Sequence, residues 1–110
     1  MLAFGVSVTH LFNSAGEWIA FRKEKYVFDP EGEWIGWLPW DDDDIVTIDG
    51  EYLGTIAHGN RIYKLWGRPY RGYPGYPGFP GSPGYPGYPG FAGYDPLPPL
   101  AEDVELRVSR

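Results

Sequence analysis

Four consecutive carboxylates, Asp41, Asp42, Asp43 and Asp44, are the first residues in this chain that could do chemistry, because clustered oxygens can hold calcium or another hard cation. The run lacks the internal glycine and distal glutamate of a calcium-binding loop. It also reads as a solvated hairpin tip whose charges discourage edge pairing. His10 and His58 offer a second possibility, yet no motif joins them to each other or to a carboxylate, and no nucleophile accompanies them. They are expected at a strand end and in a turn. Glu17, Glu33 and Glu51 recur at one position; packed around an axis they would titrate upward, but a shared exposed strand position explains them equally. No feature sets one acid and one base in the contrasting environments that glycoside hydrolysis needs. The expectation is a noncatalytic protein without a cofactor.

Binding chemistry is better represented. Trp37 and Trp40 bracket Pro39 beside the acidic run and are expected as an exposed pair, of the kind that lines grooves for sugars or proline-rich peptides. Trp18 and Trp34 are expected in the core. From Gly72 to Gly93 glycine stands at every third position, which brings Tyr73, Tyr76, Phe79, Tyr85, Tyr88 and Phe91 to equivalent places. Polyproline II has three residues per turn, so these rings would line one edge. The same composition suits disorder. The period also suits a collagen-like trimer, although aromatic residues hold the places where proline would stiffen the chain. A further possibility is that the tail lies on tryptophans of its own body or of another copy, making the protein self-associating.

The elements that must position these residues are repeats. Gly16-Glu17-Trp18-Ile19-Ala20 returns as Gly32-Glu33-Trp34-Ile35-Gly36 and as Gly50-Glu51-Tyr52-Leu53-Gly54, with a weaker fourth copy leading to Gly67. In each, turn-forming residues and a glycine precede a short aromatic and β-branched run, the pattern of a hairpin turn delivering a strand. Asp29-Pro30-Glu31-Gly32 is the clearest: Asp caps, Pro30 presets φ, and Gly32 takes the left-handed conformation of a type I turn closed by a glycine bulge. Arg22 to Lys25, Asp41 to Asp44, and His58 to Arg61 are expected at the opposite strand ends.

A lone hairpin is marginal in water, so the four units are expected to pool one core. Phe12, Phe28, Val46 and Tyr63 stand four residues before the glycines, and Trp18, Trp34, Tyr52 and Tyr70 shortly after them. These rings are expected to line the interior. Ala20, Gly36 and Gly54 mark a position calling for a small residue. Pro69 breaks the fourth unit, and the N-terminal strand around Phe4 is expected to supply its missing edge. The fold class is therefore all-β: a domain of four β-hairpin units with pseudo-four-fold symmetry over residues 1–70, an extended Gly/Pro/Tyr-rich tail over 71–96, and a C-terminal segment over 97–110. Val104, Leu106 and Val108 alternate in that last segment, which suggests an edge strand, with a short frayed helix as the alternative.

The three glycine-led motifs, with Phe21, Trp37 and Ile56 at the strand ends and the weaker Tyr63 to Gly67, resemble the small bacterial domains called the four-fold β flower, over about residues 2–70. The resemblance implies four turn-and-hairpin units. That family carries no assigned activity or catalytic residues, so the likeness implies a fold and no mechanism.

Charge and composition exclude other classes. Residues 1–66 hold five Lys/Arg against eleven Asp/Glu, so the net charge of −6 belongs to the repeat body and counts against a nucleic-acid partner. No window approaches the ~20 apolar residues that would insert in a membrane. Cysteine is absent, which is compatible with the cytoplasm. Met1 to His10 has no basic stretch or cleavage site, so secretion by a signal peptide is not expected. The expected function is noncatalytic binding or self-assembly, with a protein partner or a second copy engaged through the tail. The alternatives are a collagen-like trimer and a metal-dependent binder or enzyme at the acidic tip.

Overall fold

The computed structural model describes residues 8–40 and 42–105. The expected strand around Phe4, Asp41 of the acidic tip, and Leu106 and Val108 lie outside them. The described chain is all-β: β1 (Val8–Phe12), β2 (Trp18–Lys23), β3 (Tyr26–Phe28), β4 (Trp34–Trp37), β5 (Asp44–Val46), β6 (Tyr52–Ala57), β7 (Arg61–Leu65) and β8 (Ala101–Asp103). Neighbours in sequence pair antiparallel from β1 to β8, and a parallel pairing of Phe12 with Arg61 joins β1 to β7. The Phe12 N–H donates to the Asn60 carbonyl at 2.9 Å there. The result is a closed seven-strand barrel with β8 added alongside β7.

The turns form as their residue types dictate. Gly16, Gly32 and Gly50 carry φ of 89°, 86° and 90°, and each N–H donates back to the carbonyl of Asn13, Asp29 or Thr47 at 2.9–3.0 Å. The side chains of those three turn-openers accept from the amides of Glu17, Glu33 and Glu51 at 2.9–3.1 Å. One cap, three residue types: this is why Asn, Asp and Thr interchange at the position. The three glutamates are exposed, each standing just before a strand and not within it, where the turn-opener caps its amide.

Just after each turn the ladder slips. Phe12 faces Trp18 while Leu11 faces Ala20, and the same shift recurs at Phe28/Trp34 and Val46/Tyr52. Ile19, Ile35 and Leu53 are the extra residues, and all three pack against the core. The bulge turns two successive residues inward, so the second must be small. A Cβ at Gly36 would sit 2.5 Å from the Val46 carbonyl oxygen, and one at Gly54 would sit 2.9 Å from Val104 Cγ2.

The interior differs from the expected ring of aromatics. Leu11, Val27, Ile45 and Ile62, each five residues before a turn glycine, are fully buried and join Ala20, Leu38, Ile56 and Val104 in the core. Side chains alternate across a strand, so Phe12, Phe28, Val46 and Tyr63, one residue later, lie buried on the other face. Trp18, Trp34 and Tyr52 stand opposite Phe12, Phe28 and Val46 and are only half-buried on that outer face, while Tyr70 is 73% exposed. β-Branched and leucyl side chains fill the narrow axis; the larger rings form a second, outer layer.

The fourth unit is a hairpin split open. β7 ends at Leu65, residues 66–100 depart, and β8 returns to pair Tyr63 with Asp103, Lys64 with Glu102 and Leu65 with Ala101. Val104 then enters the core. The structure thus places the C-terminal strand β8 beside β7, next to the Phe12–Arg61 pairing through which β1 closes the barrel.

Candidate functional site

The segment inserted into the fourth hairpin lies against the outer aromatic layer as a belt. Its glycines from Gly72 to Gly93 all carry positive φ, between 76° and 96°. The uniform polyproline II helix suggested by the three-residue period, and the collagen triple helix with it, needs φ near −75° at every residue. Inverting φ at every third residue instead gives an extended ribbon that follows a curved surface. Only glycine adopts this at low cost.

The belt begins at the acidic tip. Arg68 donates to the buried Asp44 carboxylate, and Arg71 Nη1 donates to Asp44 at 3.0 Å and to Asp42 at 2.7 Å. Thr55 Oγ1 donates to the other Asp44 oxygen at 2.8 Å. The Arg71 guanidinium also stacks 3.9 Å from the centre of the Trp40 ring. The hydrogen bond from Arg71, with a second from the Asp44 backbone, holds Asp42 below the usual carboxylate range; Asp44 and Asp42 in turn push the titration of Arg68 and Arg71 up. Guanidinium groups therefore stand where a bound cation would sit, and Asp43 projects into solvent. Among the described residues no group of three His, Cys, Asp or Glu is arranged to hold a metal.

The belt then crosses two matching sockets. In the second unit Tyr26 and Trp34 meet edge to face at 5.8 Å, and Trp34 takes Tyr76 at 5.8 Å and Phe79 at 5.9 Å. Tyr26 Oη donates to the carbonyls of Pro77 and Gly78, both at 3.2 Å. In the first unit His10 and Trp18 meet at 5.4 Å, and Trp18 takes Tyr85 at 6.2 Å and Tyr88 at 5.9 Å. His10 Nε2 is 3.1 Å from the Gly87 carbonyl oxygen. Each indole is fixed by its N–H, Trp18 to the Ala20 carbonyl at 2.7 Å and Trp34 to that of Gly36 at 2.9 Å. Tyr76 to Tyr85, Phe79 to Tyr88 and Gly78 to Gly87 are all steps of nine residues. Three triplets of belt thus match one unit of barrel.

A clasp closes the far end. The Ala92 N–H donates to the Gly16 carbonyl at 3.0 Å and the Asp95 N–H to that of Ser14 at 2.8 Å. Asp95 Oδ2 accepts from Tyr63 Oη at 2.6 Å and pairs with His58 Nδ1 at 2.9 Å, while Arg61 Nη2 donates to the Ala92 carbonyl at 3.0 Å. The hydrogen bonds from Tyr63 and His58 hold the Asp95 carboxyl low, and burial with that same carboxylate pushes the Tyr63 hydroxyl well above its usual range. Ser14 Oγ and N–H both donate to Asp103, tying β8 to the first turn.

The aromatic surface is thus arranged differently from the sequence reading. Trp37 is 7% exposed, held between Tyr26 and Val46 in the sheet, so it offers no face to a ligand; its indole N–H has no partner among the described residues. Trp40 is covered by Arg71. Trp18 and Trp34, expected in the core, form the sockets. Tyr73, Tyr76, Phe79, Tyr85, Tyr88 and Phe91 keep most of their surface in solvent even with the belt seated. His58 does have a carboxylate partner, Asp95, which sequence spacing could not reveal. The signal available for the sockets was that His10 and Tyr26 both stand six residues before a turn glycine. An open cavity of about 830 Å³ lies at the turn end of the barrel, with Ile19, Ile35 and Leu53 among its lining.

These features define a class: a closed barrel of four β-hairpin units whose last unit is interrupted by a segment returning across the others. The family model of the 4-fold beta flower protein matches residues 9–109, and the chain belongs to that family. The match runs through the belt to β8 and beyond the span that the glycine-led motifs cover. Comparison with curated proteins and with solved structures gave no match. No helix in the described residues is long and apolar enough to cross a membrane.

Proposed function

We propose that this protein is a noncatalytic binding and assembly module whose contact surface is the outward edge of the belt. One observation carries the reading: Tyr70, Tyr73, Tyr76, Phe79, Tyr85, Tyr88, Phe91 and Tyr94 remain 58–76% exposed while their backbone is held in place. So many exposed rings along one ribbon exceed the scattered apolar residues of an ordinary monomer surface. The flanking prolines limit backbone freedom, so less entropy is lost when a ring is engaged. Contacts that are weak singly add through multivalency. The acidic barrel body supports a protein partner over a nucleic acid.

Self-association is the form to test first. Sedimentation velocity on the full chain across about 1–100 µM, a range that spans micromolar affinities, is expected to show mass rising above the 12.4 kDa monomer. Replacing Tyr70, Tyr73, Phe91 and Tyr94 by Ser, none of which is ring-paired with Trp18 or Trp34, is expected to reduce the rise. A wild type that stays monomeric throughout, or an unchanged rise in the variant, would overturn the reading.

A further inference from the structure

The seated belt shows what the barrel recognises. Two sockets sixteen residues apart in the body grip two stretches nine residues apart in the belt, each using an indole against two rings one triplet apart and a polar side chain against a glycine carbonyl between them. Every contact is to a feature of the triplet itself. Glycine admits the ribbon to the turns: a Cβ at Gly16 would meet the Gly93 carbonyl oxygen at 2.5 Å, and one at Gly50 would meet Tyr73 at 2.9 Å. Between its ends, where arginines and Asp95 fasten it, the belt is held by long hydrogen bonds of 3.1–3.2 Å and by rings that stay mostly solvated. The middle is the part of least local stability.

We propose that each socket, His10 with Trp18 and Tyr26 with Trp34, is a recognition site for an extended Gly-aromatic-Pro ribbon, and that its partner in trans is the belt of a second copy. The occupant is identified by the one already seated, since a second chain carries the identical ribbon in the identical register. The chain's own belt is the competitor. It is tethered at both ends and so acts at millimolar effective concentration, which keeps the sockets closed until the middle lifts. This inference specifies the partner within the assembly function proposed above, but it uses the four rings paired with Trp18 and Trp34 rather than Tyr70, Tyr73, Phe91 and Tyr94.

The test is binding of a fluorescently labelled peptide of residues 75–89 to the full chain. In one variant Tyr76, Phe79, Tyr85 and Tyr88 are replaced by Ser, which empties both sockets while leaving the end clasps. Anisotropy is expected to show saturable binding to this variant at least about tenfold tighter than to wild type, because the tethered competitor is gone. A scrambled peptide of the same composition, without the three-residue period, is expected to bind no better to the variant than to wild type. Adding Trp18→Ala and Trp34→Ala to the variant should abolish binding. Equal binding of periodic and scrambled peptides, or no binding to the emptied variant, would overturn the proposal. Far-ultraviolet circular dichroism checks that the variant is folded; should it not fold, Tyr76→Ser with Phe79→Ser clears both rings from Trp34 alone and carries the same comparison. Since Tyr70, Tyr73, Phe91 and Tyr94 are untouched, failure here with persistent self-association would leave the broader function standing.

Discussion

Deleting one triplet, Gly81-Ser82-Pro83, shortens the belt between its two sockets without disturbing its period. The rings that grip Trp34 and Trp18 are nine residues apart, a reach of about 30 Å at full extension. The molecule is 35 Å across its shorter axes, so a quarter of its girth is about 27 Å. Six residues reach only about 20 Å. The shortened belt therefore satisfies one socket at most. The loss is two ring contacts at about 0.5–1.5 kcal/mol each and one hydrogen bond of about 0.5–1.5 kcal/mol. Allowing for partial exposure, about 1–3 kcal/mol is expected, and at about 4 °C per kcal/mol a domain of this size should melt at least about 4 °C lower. Inserting one triplet at the same place leaves slack that bulges outward and costs only loop entropy, about 0.2 kcal/mol. Thermal unfolding followed by circular dichroism is the assay. Equal effects of deletion and insertion, or a deletion that leaves the melting temperature unchanged, would refute the nine-residue match.

Gly36→Ala drives a methyl group into the Val46 carbonyl at a point where β4 and β5 share a single pair, so urea denaturation should show about 1–3 kcal/mol of lost stability. The Asp95 carboxyl is held below its unfolded value, so its contribution is fully present above about pH 4 and is lost as pH falls through the lowered folded value. The stability difference between wild type and Asp95→Asn, measured by urea midpoints from pH 7 to 2.5, should accordingly shrink on acidification; a constant difference would contradict the clasp. Arg71→Ala uncovers Trp40 and should red-shift and quench part of the tryptophan emission, an effect absent if the two do not stack in solution. Calcium should leave the melting temperature unchanged, because Arg68 and Arg71 already occupy Asp44.

The turns and the number of units were legible because their chemistry is local. Asn13, Asp29 and Thr47 cap amides four residues ahead, and glycine alone suits the torsion that closes each turn. The need for a small residue at Ala20, Gly36 and Gly54 was legible from repetition in register, although its cause, the approach of Val46 to Gly36 and of Val104 to Gly54, is not local. Which face the aromatics occupy was not legible, because alternation says only that Leu11 and Phe12 point opposite ways. Deciding which points inward requires knowing how wide the barrel is, and its narrow axis takes aliphatic side chains. The belt was half legible: its period is plain, yet its seat depends on pairs such as His10 with Gly87 and His58 with Asp95, separated by tens of residues. The positive glycine torsions follow from that seat and not from composition. Trp37 misled because its neighbours Pro39 and the acidic run suggest a surface, whereas its place in β4 between β3 and β5 buries it.

The seat of the belt on Trp34 and Trp18 is tested most directly by nuclear Overhauser contacts in the full chain. Ring centres at 5.8 and 5.9 Å from Trp34, and at 6.2 and 5.9 Å from Trp18, place edge protons within range. Cross-peaks from the Trp34 indole to Tyr76 and Phe79, and from the Trp18 indole to Tyr85 and Tyr88, are the expected result. Random-coil shifts throughout residues 72–94 with no contact to either indole would contradict it.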